Sequence, residues 1–148
     1  MRAFVVVMDE TEEAGAALRY ASRRAALVNG EVHLLALVPQ QNISAFGAVQ
    51  ATLEQEAHER AEMLAHGAAG NIFSESGIMP TISVRIGNGQ KVVTEFLGEH
   101  GETAALVLGA AAGGHPGPLV AHFSAHAGSL PCPLYIIPAN YDENHRLG

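Results

Sequence analysis

The sequence predicts an α/β fold, a parallel β-sheet with helices on both faces. Two observations carry this. Apolar runs of strand length recur at 3–8, 31–38, 81–86, 104–109 and 133–138. Between them lie segments whose apolar residues repeat at helical spacing. Alternation of this kind, βαβαβαβαβ, forces parallel pairing through right-handed crossovers.

The elements follow in order. "AFVVVM" (3–8) is a continuous apolar run, as expected of a strand buried on both faces. Asp9 with Glu12 three residues later fits an N-capping pattern, and Glu10, Glu12 and Glu13 place negative charge at a helix start. Ala14, Ala17, Leu18, Ala21, Ala25 and Val28 recur at helical spacing until Asn29-Gly30, which tolerates the left-handed conformation, ends the helix. "EVHLLALV" (31–38) is the second strand, and 39–48 reads as a loop. From about Gln50, the residues Leu53, Ala57, Ala61, Leu64, Ala68 and Ile72 form one apolar stripe of a long helix that Gly77 closes. "TISVRI" (81–86) alternates Ile82, Val84 and Ile86 against Thr81, Ser83 and Arg85, so one face is more exposed. "GNGQ" (87–90) turns into a helix carrying Val92, Val93, Phe96 and Leu97, ended by Gly101. "AALVLG" (104–109) is the fourth strand, a short helix follows, and "PLYIIP" (133–138) is the fifth. One domain over 1–138 and a polar tail over 139–148 are expected.

Composition narrows the function. The chain has 148 residues, 48% of them apolar and 16% charged, which is globular rather than disordered. A net charge of −7 disfavours nucleic acid as a partner. Only Arg19 to Arg24 cluster among the basic residues, as a solvated rim. The lone Cys132 excludes an internal disulfide and reads as a buried, inert thiol. No segment is apolar for the length of a membrane span, and the apolar N-terminus is too short for a signal peptide. No membrane partner and a cytoplasmic location are expected.

Ligands of parallel sheets bind at the carboxyl ends of the strands, where strand order switches. Asp9, the segment after Val38 and the loop after Gly109 lie there. "LGAAAGGHPGPLVAHFSAHAG" (108–128) therefore sits where a phosphate loop would sit. Its chemistry fits poorly. Pro116 and Pro118 remove two amides, no Ser or Thr occurs between Ala104 and Phe123, and no Lys or Arg occurs between Lys91 and Arg146. The glycines match neither the Walker nor the dinucleotide pattern. They also fit a tight strand-to-helix connection with no ligand.

Four stretches together resemble the universal stress protein family: "VVVMDETEEAGAALRYASRRA", "GEVHLLALVP", "SGIMPTISVRIGNGQKVVTEFL" and "AALVLGA...LPCPLYIIP". The resemblance covers 1–138. It implies a Rossmann-like five-stranded sheet of order 3-2-1-4-5 and a homodimer formed through the last strand. Some members bind ATP with a signature after the fourth strand: a glycine, a second glycine after two residues, and Gly-Ser or Gly-Thr nine residues later. Here the next glycine after Gly109 is Gly113, and the final Gly-Ser reads Val120-Ala121. By resemblance, Asp9, Leu37, Gly109, Gly113 and Gly114 are the candidate nucleotide-site residues, with Asp9 near the ribose or adenine and Leu37 packing on the base.

Two other chemistries are open. His122 and His126 are four apart on the short helix and His115 precedes them, a spacing metal ligands use. No Cys is near, so no metal is expected, with these three histidines as the candidates if one binds. His58 and His66 on the long helix should face solvent. Ser124 lacks the G-x-S-x-G elbow of a hydrolase nucleophile. The expected function is a non-enzymatic, dimeric stress-protein-like module that binds a partner or small ligand without the usual ATP grip. The alternatives are an ATP-binding protein with a rebuilt loop, and a metal-dependent enzyme. No cofactor is expected, with ATP the possible one.

Overall fold

The computed structural model describes residues 2–9, 11–39 and 47–141. Its strands are β1 (Ala3–Met8), β2 (Glu31–Val38), β3 (Thr81–Ile86), β4 (Thr103–Ala110) and β5 (Leu134–Pro138). Its helices are α1 (Glu12–Val28), α2 (Gly47–Ser76), α3 (Gly89–Glu99) and α4 (Pro118–Ala125), and a 3-10 turn spans Ala127–Ser129. The five strands form one all-parallel sheet, as the alternation of elements predicts, in the order β3-β2-β1-β4-β5 that the resemblance implies.

Period-two alternation divides the sheet between two cores. Phe4, Val6, Met8, Leu34, Ala36 and Val107 pack under α1 and α2. Val5, Val7, Leu35, Leu106 and Leu108 pack under Val93, Phe96 and Leu97 of α3 and Val120 and Phe123 of α4. The first core is lined on its helix side by Ala14, Ala17, Ala21 and Ala25, small residues that let α1 lie close to the strands. Asn29 ends α1 in the left-handed conformation, φ 56° and ψ 43°, as its type predicts.

Several expectations shift. Asp9 is not the N-cap of α1, because Thr11 holds that position. Asp9 instead closes an Asx turn: its Oδ1 accepts from the Thr11 amide at 2.9 Å and from the Thr11 hydroxyl. The long helix begins at Gly47, ahead of Gln50. Along it the buried stripe drifts from Ala57 to Ala65, Ala69 and Ile72, leaving Leu64 exposed. The expected stripe steps by three from Ala61 to Leu64, whereas the buried residues continue by fours from Ala57 to Ala65 and Ala69 and take the three-residue step only at Ile72. His58 is half-buried and pairs with Glu62 at 2.9 Å, while His66 is exposed as expected. Ile86, placed with the inward residues of β3, is exposed at the sheet edge. Cys132 is half-buried rather than buried, and that burial pushes its thiol pKa up, toward the unreactive form. Most of the 39–48 loop and of the C-terminal tail lies outside the described residues. Among the described residues, no helix is long and apolar enough to cross a membrane.

Candidate functional site

A cleft of about 350 Å³ opens at the carboxyl ends of β1 and β4, where the strand order runs out from β1 in both directions. Val7 and Leu108 form its floor, since each is the last or next-to-last inward residue of a strand on the α3/α4 face. Leu37 of β2 and Leu119 of α4 flank Gly89, where an added Cβ would come within 3.2 and 3.1 Å of them. The first turns of three helices complete the walls: Thr11, Glu13 and Ala14 of α1, Asn88 to Gln90 of α3, and Gly117 to Val120 of α4.

Two kinds of charge meet here. Helix N-termini carry partial positive charge and unpaired amides. Asn88 caps α3, its side chain accepting from the Lys91 amide at 3.1 Å, and leaves the first-turn amides of Gly89 and Gln90 on the cleft side. At α4, Pro116 and Pro118 contribute none, and Leu119 and Val120 are left as the donors of that turn. Among the described residues, the only charged side chains lining the cleft are Asp9 and Glu13, both acidic. The cleft thus offers amides and apolar walls and, among the described residues, no side-chain cation for a polyphosphate.

The glycine loop divides in two. The Ala111 amide donates to the Pro116 carbonyl at 3.0 Å, closing the chain between them into an exposed excursion. Gly113, Gly114 and His115 lie on that excursion and do not line the cleft, while Gly117 does. Gly109 lines it for a reason unrelated to phosphate: a Cβ there would lie 2.1 Å from the Glu13 carbonyl oxygen, so α1 starts hard against β4. Of the five residues inferred from sequence, Asp9, Leu37 and Gly109 are brought together, and Gly113 and Gly114 are not. Sequence reading missed Gly89, Leu119 and Gly117. The "GNGQ" turn before a helix was the available signal.

A second cavity of about 300 Å³ shares Asp9, Leu37 and Pro39 with the cleft and runs along α2, where Arg60 lines it. Arg60 is distant in sequence from every glycine considered, and only the fold brings it to this edge.

The histidines do not assemble. His126 leaves the helix and serves as the C-cap of α4, its Nδ1–H donating to the His122 carbonyl at 2.8 Å. The His122 and His126 rings lie 4.4 Å apart, and His115 is on the exposed excursion. Among the described residues, no three His, Cys, Asp or Glu side chains form a metal-binding group. The Ser124 hydroxyl donates to the Ala121 carbonyl at 3.3 Å, within its own helix.

The fold and cleft define a doubly wound α/β protein with its cleft at the topological switch point. Residues 1–138 match the universal stress protein family, and the chain belongs to it. Among solved structures it is similar to the universal stress protein UspA from Lactobacillus plantarum, with a TM-score of 0.77 and 18% identity over 92% of this chain and 97% of that one. It is also similar to a family protein from Arabidopsis thaliana with AMP bound, with a TM-score of 0.61 and 17% identity over 97% and 95% of the two chains. A third similar structure is the Archaeoglobus fulgidus universal stress protein in complex with dAMP, with a TM-score of 0.56 and 16% identity over 93% and 98%. No curated protein matches the chain significantly.

Proposed function

We propose that this protein is a non-enzymatic, dimeric binding module whose cleft takes a nucleoside-like ligand and does not grip a triphosphate. The observation that carries the reading is the charge of the cleft wall. Among the described residues, Asp9 and Glu13 line it and Arg and Lys do not, and two prolines thin the amides at the start of α4. Apolar walls from Val7, Leu37, Leu108 and Leu119 suit a flat base. Each added phosphate meets the same two carboxylates without a compensating side chain. The AMP and dAMP held by the Arabidopsis and Archaeoglobus relatives support an adenine-type ligand.

A ligand series tests this. Dissociation constants for adenosine, AMP and ATP with Mg²⁺ should rise in that order. An order that falls from adenosine to ATP contradicts the reading. Arg60 favours a second reading, a nucleotide site rebuilt across Asp9 toward α2. In that case Arg60→Ala would weaken ATP binding at least tenfold and leave adenosine binding unchanged.

Dimerisation belongs to the same proposal. β5 pairs with β4 on one side only, and Ile136 is exposed on it, an edge that favours pairing with another chain.

A further inference from the structure

We propose that the His33–His100 cluster beneath α3 is a proton-sensitive latch that sets how firmly α3, and with it one wall of the cleft, is seated. The sensitivity belongs to the fold whatever fills the cleft. Its effect on a ligand rests on the reading above.

His33 is the third residue of β2 and points to the α3 side of the sheet. Its Nε2 lies 2.8 Å from the Ser83 hydroxyl of the neighbouring strand. Its ring meets Phe96 of α3 edge-on at 4.8 Å and lies 5.4 Å from the ring of His100. His100 is the C-cap of α3, stacks on Phe96 at 4.0 Å, and donates through Nδ1 to the Phe96 carbonyl at 2.8 Å. The Thr103 hydroxyl donates to the His100 carbonyl at 2.7 Å, tying the helix end to the start of β4. Two imidazoles thus grip one buried phenyl ring and fix the last turn of the helix.

The charges around His33 make a second proton costly to place. Burial disfavours its charged form first, and the neighbouring His100 and the Arg85 guanidinium disfavour it further; together they hold its pKa below 6.5. Arg85 itself sits 5.4 Å over the Phe96 ring and pairs with Glu99 of α3 at 3.2 Å. Glu102 after α3 and Glu31 of β2 act in the opposite direction but do not reverse the shift.

The sign follows from linkage. A histidine whose pKa is depressed by folding binds fewer protons in the native state than in the unfolded state. Stability is therefore full above 6.5 and is lost as pH falls through that value toward the folded one. The element that bears the loss is α3. Its far end, Asn88 to Gln90, is cleft wall. One rigid helix of eleven residues, about 16 Å long, joins latch to cleft. Acid loosens the helix and the wall together.

Hydrogen exchange of the α3 amides from Val93 to Leu97 tests the latch without any ligand. After correction for intrinsic exchange, the opening equilibrium of the wild type should rise below pH 6.5 by up to about tenfold per pH unit. His33→Gln, which keeps a side-chain polar group for Ser83 and cannot titrate, should lose most of that slope. An unchanged slope in the variant overturns the proposal. Where the variant does not fold, the His33 ring titration followed by NMR in the wild type decides: a midpoint below 6.5 supports the latch, and one at or above 6.5 refutes it. Adenosine affinity measured across the same pH range separates the two claims. A latch in exchange with no adenosine binding leaves the latch standing and removes the ligand reading.

Discussion

A methyl group at Gly109 would lie 2.1 Å from the Glu13 carbonyl oxygen, with backbone on both sides of the contact. Nothing there can swing aside, so Gly109→Ala must push α1 off β4. Overpacking of this kind costs about 1–3 kcal/mol or more. Gly113 has open space around it but sits at φ +98°, so Gly113→Ala carries only backbone strain, roughly 1 kcal/mol. Urea denaturation should place Gly109→Ala clearly below Gly113→Ala; equal losses would refute the assignment of Gly109 to packing. These two residues look alike in sequence, as glycines in one loop. What separates them is the Glu13 backbone nearly a hundred positions upstream, which no local pattern reveals. Asp9 was legible as a strand-end carboxylate, but its bond to Thr11 rather than to α1 depended on one turn of backbone geometry.

At the scale of elements, α3 is set by its ends as much as by its buried face. Asn88→Ala removes the acceptor of the Lys91 amide and should cost about 1 kcal/mol of stability. The same substitution exposes whether the start of α3 matters to the cleft, since Asn88 lines it. In α2, Gly70 has nothing within 4 Å of an added Cβ and lies in regular helix, so Gly70→Ala should stabilise by about 0.5–1 kcal/mol in the same denaturation experiment. A loss there would mean that the α2 surface at Gly70 is occupied. The strands were legible almost to the residue because β1 and β4, buried on both faces, are unbroken apolar runs and the edge strand β3 alternates. The stripe of α2 was less so: Leu64 satisfies a three-residue step from Ala61 yet points outward, while Ala65, the four-residue step, is fully buried.

For the whole molecule, the order β3-β2-β1-β4-β5 turns four strand ends, those of β1 to β4, into one cleft, bringing residues 7, 37, 89, 109 and 119 around one volume. The strand types and sequence were readable from the chain; the order came from resemblance, and the convergence of Arg60 on Asp9 from neither. The same order leaves β5 at an edge. Light scattering at micromolar concentration should give a dimer mass, and Ile136→Lys should give a monomer, because a lysine on an edge strand opposes pairing. A wild-type monomer would contradict the proposed dimer.

The charge of the cleft is the centre of the account, and titration calorimetry with ATP and Mg²⁺ at pH 7.5, above the range in which the latch responds, tests it most directly. Walls bearing Asp9 and Glu13 and, among the described residues, no cation predict no saturable heat at micromolar nucleotide. A saturable isotherm with a micromolar dissociation constant, abolished by Asp9→Ala, would contradict it.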